Sequence, residues 1–285
     1  MRKLTFGSVL IALILLGVVV VTAYPFLYMI AVSLSGDIYV MKGDVTIWPK
    51  GFNIDMYEIV LKDPRIGTAY INTIIYVSAG TVLSLLFTST GGYALSRKDM
   101  LYHKQFTLLI VFTMFFNGGM IPTFLVVKEL GMIDTIGGMV LPTVISTWNL
   151  ILMRTFFMGI PKELEEAGRM DGLNDIGIFI RIILPLSKAS MATIGLFYAV
   201  AIWNNFTNAL LYLRDPALFP LQVVLRNIVL MGQVNSGEVA SVDNLVVGES
   251  LKFATIIVST LPILLLYPFL QKYFVKGVMI GSVKG

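Results

Sequence analysis

The sequence predicts an all-α membrane protein with six transmembrane helices. Of its 285 residues, 56% are apolar and 13% are charged, whereas an ordinary soluble domain is about 25% charged. A helix needs about 20 predominantly apolar residues to cross about 30 Å of hydrocarbon. Six stretches meet that requirement and indicate one membrane domain over residues 1–285. They are residues 8–32, 69–95, 105–127, 135–157, 189–212 and 252–273.

Composition argues against several classes of function. The chain has no cysteine and one histidine, His103, so disulfides, thiolate metal sites and histidine-based catalysis are poorly supported. The six apolar stretches contain no Asp or Glu. The net charge of +4 is spread over the ends of apolar stretches, not clustered as in proteins that bind nucleic acids. We therefore expect no catalytic residue, no metal site and no nucleic-acid partner.

The first apolar stretch begins like a signal peptide, with Arg2 and Lys3 before a run from about Phe6 to Tyr24. A signal peptide has a shorter apolar core, of about 7–15 residues, and ends in small residues. Here the bulky residues 25–27 follow instead. The stretch is therefore predicted to be an uncleaved first span.

The third stretch contains a weak point at Gly118, Gly119 and Pro122. Glycine and proline are tolerated in membrane helices where neighbouring groups satisfy the freed backbone. The pattern predicts an unwound or kinked helix, and both a hinge and a packing notch would explain it.

The distribution of Lys and Arg predicts the orientation, because cytoplasmic loops carry an excess of both. With the N-terminus inside, both termini and the loop of residues 158–188 face the cytoplasm. The long loops of residues 33–68 and 213–251 then face outward. This orientation places thirteen of the 21 basic residues inside: Arg2, Lys3, Arg97, Lys98, Lys104, Arg154, Lys162, Arg169, Arg181, Lys188, Lys272, Lys276 and Lys284.

Residues 158–188, the charged loop, are predicted to form two short helices with a bend between them. Pro161 suits the start of a helix, Gly172 can supply a left-handed stop, and a second helix begins near Asn174. Pro185 then interrupts the approach to the next span. Acidic residues favour the positive end of the first helix dipole, and here they are Glu163, Glu165 and Glu166.

The charged loop also has an apolar edge, formed by Leu164, Met170, Ile176, Phe179 and Ile180. Such an edge fits a groove on a partner protein, or it rests on the membrane surface. Helices that lie on lipid are normally rich in Lys and Arg on the polar face, and anionic lipid would repel the acids present here. The composition of the loop favours a protein partner.

The charged loop resembles a known family motif. Glu166-Ala167-Gly168, Asp171-Gly172 and Ile182-x-Leu184-Pro185 are similar to the "EAA" cytoplasmic loop of binding-protein-dependent ABC importer permeases. The spacing from Gly172 to Ile182 also fits that loop. Gly168 departs from the family, which usually carries alanine there. Glycine lowers helix propensity by up to about 1 kcal/mol, so a softer loop helix is expected.

The resemblance continues through nearly the whole chain and points to the maltose-type carbohydrate permeases. The similar segments are Asn72-Thr73-Ile74, Gly92 to Arg97, Pro122-Thr123, Arg154 to Phe157, Phe274 to Gly277 and Gly281 to Gly285. Within that class, residues 117–123 and 203–210 are most similar to permeases for oligosaccharides derived from polysaccharides.

The resemblance implies a permease subunit of the bacterial cytoplasmic (inner) membrane, not an enzyme. No cofactor is expected in this chain, because ATP and Mg would be bound by separate ATPase subunits. The implied partners are a second permease subunit, usually a different chain, an ATPase dimer, an extracytoplasmic solute-binding protein, an oligosaccharide and membrane lipid. A permease for another solute stays open as an alternative. An intramembrane enzyme is poorly supported, because the chain has one His, no Cys and no Asp or Glu in its apolar stretches. A passive channel or a sensor subunit would not require the charged loop.

The resemblance also implies roles for two loops. The ATPase would be coupled through Glu165, Glu166, Ala167, Gly168, Asp171, Gly172, Leu184 and Pro185. The loop after the fifth span would contact the binding protein through Phe219, Pro220, Gln222 and Asn235.

A sugar path requires hydroxyl partners and flat apolar faces, and the fifth stretch is richest in both. Asn204 and Asn208 are one turn apart and are predicted to share a helical face, with Trp203 available for stacking. Packing between helices explains such amides equally well. The predicted path residues are Trp203, Asn204, Asn205, Asn208, Asn117 and Asn149. For the last two, helix packing is the favoured interpretation.

Overall fold

The regular secondary structure in the described part of the chain is helical, apart from one isolated antiparallel bridge between Ser35 and Phe52. The computed structural model describes residues 6–234 and 250–265. The helices are α1 (Phe6–Ser33), α2 (Asp37–Met41), α3 (Asp55–Lys62), α4 (Pro64–Ser96), α5 (His103–Phe115), α6 (Met120–Glu129), α7 (Ile136–Val140), α8 (Thr147–Met158), α9 (Lys162–Met170), α10 (Asp175–Ile178), α11 (Leu184–Leu186), α12 (Lys188–Trp203), α13 (Thr207–Tyr212), α14 (Leu221–Val234) and α15 (Ser250–Leu265).

Two compact units divide these helices. The first takes Met1–Gly67 with Val224–Pro262, and the second takes Thr68–Val223 with Ile263–Gly285, as far as those ranges are described. In the first unit, α1 is a long apolar helix whose buried residues lie only at its end, from 31 to 33. There, the Ser33 hydroxyl lies 2.8 Å from the Tyr57 hydroxyl.

The second unit is built on α4, a continuous helix of 33 residues. Its C-terminal half packs closely on α8. A Cβ at Gly92 would lie 3.3 Å from the backbone nitrogen of Arg154, so glycine permits the close approach. The Arg154 guanidinium donates to the Leu95 carbonyl at 2.9 Å. The core around this contact is formed by Tyr93, Met153, Phe157, Ile178, Ile183, Ile194 and Tyr198.

The weak point predicted in the third apolar stretch is confirmed. Helix α5 ends at Phe115, α6 begins at Met120, and the two are bent by 113°. Gly119 has a φ of +89°, a conformation that glycine alone adopts readily. No heavy atom of the described residues lies within 4 Å of a Cβ placed on Gly118. The helix is therefore unwound at these glycines, as predicted.

Other apolar stretches are also interrupted, although hydropathy predicted them as continuous spans. Residues 136–143 and 147–158 are bent by 59°, and α12 and α13 are separated at residues 204–206. In the described residues, two helices are long and apolar enough to cross a membrane, or up to five if each bent pair counts as one span. The last predicted span, 252–273, extends beyond the described residues, within which α15 covers its first part.

Candidate functional site

The charged loop forms the predicted bent pair of short helices, and its first stop is a glycine. At the end of α9, Gly172 adopts a φ of +80°. The Gly172 amide donates to the Arg169 carbonyl at 3.0 Å, and the Leu173 amide donates to the Gly168 carbonyl at 2.9 Å. These two bonds complete a Schellman motif. The predicted left-handed stop is confirmed, and it fixes the angle at which the chain leaves α9.

The second helix of the charged loop begins where the sequence predicted. The Asn174 side chain accepts from the Gly177 amide at 2.8 Å and caps α10. A π-helical stretch, Phe179–Ile183, follows, and such stretches are frequent at functional sites. After α11, which contains Pro185, the chain bends by 82° into α12. Leu184 is partly buried in this bend, and Pro185 is exposed.

Gly168 has a packing role that its helix propensity did not indicate. It is buried, and a Cβ at this position would lie 2.7 Å from Ile182 Cδ1 and 3.3 Å from Ile178 Cγ1. The missing side chain allows α9 to lie directly against the following helical segment. The glycine that was expected to soften α9 therefore sets the spacing inside the charged loop.

The outer surface of the charged loop combines apolar and acidic side chains. Met170 is 88% exposed, Ile176 is 69% exposed and Ile180 is 56% exposed. Glu166 and Ala167 are exposed beside them, as are Asp171 and Gly172. Phe179, predicted to belong to the same edge, instead turns inward and stacks on Tyr93 with ring centroids 5.0 Å apart.

Glu165 lies on the opposite side of α9 from this surface, with a side chain only 16% exposed. It forms an ion pair with Arg97, the residue that follows α4. The Arg97 guanidinium also lies 3.5 Å from Asp175 and donates to the Tyr93 hydroxyl at 3.0 Å. Arg169 reaches Asp175 from α9 at 3.2 Å. Charged groups thus join both helices of the loop to the end of α4.

Sequence reasoning missed Arg97 and Tyr93 as site residues. Both lie in the segment Gly92 to Arg97 that resembles the family, and Arg97 was also counted among the cytoplasmic bases, but neither was assigned a role in the site. The available signal was their spacing of four residues at the end of a span, which places both on one face. Two cavities, of about 420 and 540 Å³, flank Arg97, and both are lined by residues of the charged loop.

The predicted path residues of the fifth stretch do not form one helical face. Helix α12 ends at Trp203 and α13 begins at Thr207. The prediction that Asn204 and Asn208 share a face is therefore wrong, because an unwound segment separates them. Asn205 lies in that segment and accepts from the Asn208 amide at 3.1 Å. It serves as a local cap rather than as part of a continuous polar stripe.

The path residues differ in exposure. The Asn208 side chain is buried and donates to the Met139 carbonyl at 3.2 Å, which is a packing interaction between helical segments. Trp203 and Asn149 are buried as well. Asn204 is exposed and donates to the Val200 carbonyl at 2.9 Å. Asn117 is also exposed, in the break between α5 and α6.

A second structured region is the anchored turn, residues 212–222, which connects α13 to α14. Three side chains near the start of α4 hold it. Asn72 donates to the Ala217 carbonyl at 2.8 Å and to the Phe219 carbonyl at 3.2 Å. Thr73 accepts from the Leu221 amide at 2.9 Å, and Tyr76 donates to the Leu218 carbonyl at 2.9 Å.

Asp134 holds the beginning of the same turn. Its side chain accepts from the Arg214 amide at 2.5 Å and from the Asp215 amide at 3.1 Å. These backbone hydrogen bonds lower the pKa of the Asp134 carboxyl, since they favour its charged form. Of the predicted binding-protein contacts, Pro220 is buried, whereas Phe219 and Gln222 are partly exposed. Asn235 lies outside the described residues.

Comparisons with known proteins identify the family of this chain. Residues 4–280 match the family described as "Binding-protein-dependent transport system inner membrane component". The chain belongs to this family, and it is a permease subunit of an ABC importer, a class in which separate ATPase subunits hydrolyse ATP.

Two relatives come from Bacillus subtilis (strain 168). Protein LplC is 44% identical over 270 residues, which cover 94% of this chain and 92% of that protein. The polygalacturonan/rhamnogalacturonan transport system permease protein YtcP is 42% identical over 276 residues, covering 95% and 96%. Among solved structures, a chain of a bacterial ABC transporter involved in the import of the acidic polysaccharide alginate matches with a TM-score of 0.84. It is 34% identical, covering 96% of this chain and 100% of that chain.

Proposed function

We propose that this permease subunit imports an oligosaccharide and that the charged loop is the surface on which an ATPase subunit docks. The observation that carries the proposal is the exposed surface of the loop. Met170, Ile176 and Ile180 are more than half exposed, and exposed apolar groups that cluster together mark an interaction surface. The acids next to them oppose binding to anionic lipid, so a protein partner fits better than a membrane.

In this mechanism, closure of the ATPase dimer on ATP moves the charged loop, and the spans change from inward-facing to outward-facing. Glu166, Ala167 and Gly172 are exposed and would contact the ATPase. Glu165 would act from inside, through its ion pair with Arg97. The N-terminus, the charged loop and the C-terminus would lie in the cytoplasm, and the anchored turn would face the solute-binding protein outside. The second half-channel would be a different chain.

The substrate assignment is supported by similarity to YtcP, whose name specifies polygalacturonan and rhamnogalacturonan, and to a transporter that imports the acidic polysaccharide alginate. Asn204 and Asn117 are exposed in breaks between helices. The Asn204 amide donates to the Val200 carbonyl and the Asn117 oxygen accepts from the Gly119 amide, and their remaining N–H groups would bond sugar hydroxyls. Trp203, Asn149 and Asn208 are buried and would support the path from behind, with Asn205 between them as a cap.

The test is ATP-dependent uptake in proteoliposomes containing the full complex and labelled oligosaccharides, some neutral and some acidic. We expect Glu166→Lys to abolish uptake by weakening the ATPase contact, while the chain still inserts. Glu129→Lys, which makes the same change at an exposed residue ending α6, is the matched control and should transport normally. Normal uptake by Glu166→Lys would refute the docking assignment. Uptake of another solute class, with no oligosaccharide transported, would refute the substrate.

A further inference from the structure

We propose that Arg97 makes α4 a rigid connection between the charged loop and the anchored turn, so that ATPase movement at one end repositions the turn at the other. This inference rests on the proposed function of the charged loop as the ATPase contact. Arg97 is then a positioning residue: it touches neither ATPase nor substrate but determines whether movement of the loop reaches α4.

The first support is the density of contacts at Arg97. Its side chain is only 17% exposed and is surrounded by Glu165, Asp175 and Asp99. Each acid belongs to a different segment: Glu165 to α9, Asp175 to α10, and Asp99 to the turn after α4. A guanidinium holds several carboxylates in fixed directions, because its donors form a planar fork. Arg97 therefore joins both helices of the charged loop to one point.

The second support is that Arg97 is itself held on α4. The Tyr93 hydroxyl accepts from Arg97 at 3.0 Å, and the guanidinium carbon lies 5.3 Å from the centre of the Tyr93 ring. The Tyr93 ring stacks on Phe179 and meets Phe157 edge-on. An ionic contact and an aromatic contact therefore act together, and neither helix of the loop can shift without disturbing the end of α4.

The third support lies at the other end of α4, where Asn72, Thr73 and Tyr76 bond the anchored turn. The helix is continuous between these residues and Ser96. At 1.5 Å per residue, Tyr76 and Ser96 are about 30 Å apart, which is about the thickness of the hydrocarbon core. Helix α4 therefore has contacts with both regions, through Tyr93 and the following Arg97 at one end and through Asn72, Thr73 and Tyr76 at the other.

The experiment uses the full complex with a reporter on the anchored turn. Because the chain has no cysteine, Ala217→Cys gives a single labelling site when the partner subunits are made cysteine-free. A fluorophore at this exposed position reports movement of the turn when ATP and vanadate trap the ATPase. We expect a clear signal change with Arg97 present. In Arg97→Gln that change should shrink about tenfold, within the range typical of coupling between sites, although the ATPase still binds and traps nucleotide.

Two variants separate coupling from misfolding. Lys98→Gln removes the neighbouring exposed charge and should leave the signal unchanged. The swapped pair Arg97→Glu with Glu165→Arg should recover part of the signal, since it restores opposite charges. A full signal in Arg97→Gln, or no recovery in the swapped pair when that complex assembles, would overturn the inference. If the ATPase does not bind the original chain, or Glu166→Lys transports normally, the proposed function fails instead.

Discussion

The charged loop and the anchored turn are held to opposite ends of α4 by different kinds of contact. At the charged loop, side chains bond to side chains: Arg97 to Glu165 and Asp175, with Tyr93 stacked on Phe179. At the anchored turn, side chains bond to backbone groups, as Asn72 does to Ala217. Bonds to the backbone fix the path of the turn whatever its side chains are. Contacts between two side chains depend on both partners, so a single substitution in the charged loop or at the end of α4 can remove them.

The two kinds of contact suit a charged loop that moves and an anchored turn that keeps its shape. The charged loop exposes apolar side chains to a partner and is joined to the helices through a few charged and aromatic groups, which suits a part that is moved. The anchored turn is tied by backbone hydrogen bonds, which suits a part that keeps its shape. Changes in the loop should therefore affect coupling, whereas changes in the turn should affect the docking of a partner.

The largest effect is expected from Gly172→Pro. Proline fixes φ near −65° and has no amide hydrogen, whereas Gly172 needs a φ of +80° and donates to Arg169. Proline at a position whose φ it cannot adopt and whose amide is hydrogen-bonded destabilises by more than about 1 kcal/mol, so the loss of this stop should reduce ATP-dependent uptake to background. Gly172→Ala, which keeps the amide, should retain partial uptake. Equal uptake in the two variants would show that the Schellman stop is not required for coupling.

The next effect concerns the spacing between the helices of the charged loop. Gly168→Ala raises helix propensity by up to about 1 kcal/mol, but the new Cβ would lie 2.7 Å from Ile182 Cδ1. The Cδ1 atom is the flexible end of a partly buried side chain, but Cγ1 of the fully buried Ile178 would also lie 3.3 Å from the new Cβ. Overpacking costs about 1–3 kcal/mol, and because Ile182 can move aside we expect the low end of that range and a modest fall in uptake.

The second-site variant Ile182→Val removes the clashing Cδ1 atom and provides the control. We expect the double variant Gly168→Ala with Ile182→Val to recover uptake, measured at equal amounts of assembled complex. Reduced uptake in the double variant, equal to that of Gly168→Ala alone, would mean that the clash is not the cause.

A smaller effect separates helix packing from sugar contact. Asn208→Ala removes the hydrogen bond to the buried Met139 carbonyl, which should cost about 1 kcal/mol of stability and lower the melting temperature of the purified complex. Asn204→Ala, at an exposed position, should leave melting unchanged and raise the KM for the oligosaccharide. The reverse pattern would make Asn208 the sugar ligand and Asn204 the structural residue.

The smallest effect is expected at Asp134. The pKa of the Asp134 carboxyl is lowered from its ordinary value near 3.8. The ionised carboxylate therefore stabilises the anchored turn fully at pH values above that ordinary pKa. That contribution is lost as the pH falls through the lowered value. Docking of the binding protein should therefore not change with Asp134 ionisation between about pH 5 and 8. Asp134→Ala should weaken docking about two- to threefold, as for a surface change, and Asp134→Asn should weaken it less. If the original chain, Asp134→Ala and Asp134→Asn dock with equal affinity, Asp134 does not stabilise the anchored turn.

Local signals allowed much of the charged loop to be predicted from the sequence. Gly172 and Asn174 form hydrogen bonds with backbone groups only three residues away. A helix stop and a helix cap could therefore be inferred without tertiary information. The break at Gly118 and Gly119 was predicted for the same reason. The helical fold was predicted from the length of the apolar stretches, because a helix needs about 20 apolar residues to cross the hydrocarbon of a membrane.

Contacts between distant segments could not be predicted in the same way. Arg97 meets Glu165 across a long stretch of sequence, and nothing near either residue identifies the other. The interruption at residues 204–206 was missed because the apolar stretch was interpreted by its length, although asparagine favours caps and turns over helix interiors and Asn205 does cap the following helix. A shared face for Asn204 and Asn208 was therefore inferred wrongly. The packing role of Gly168 depends on Ile182, which only the folded chain brings close.

Docking of an ATPase subunit on the charged loop inside the cell can be tested with one crosslinking measurement. Met170→Cys places a single reactive group at a side-chain position that is 88% exposed in a chain that otherwise has no cysteine. A photo-crosslinker attached there should capture the ATPase subunit, and membrane-impermeant reagents should reach it only in inverted vesicles. Labelling from the outer side, or crosslinks to lipid alone in the assembled complex, would show that the ATPase does not dock on the charged loop.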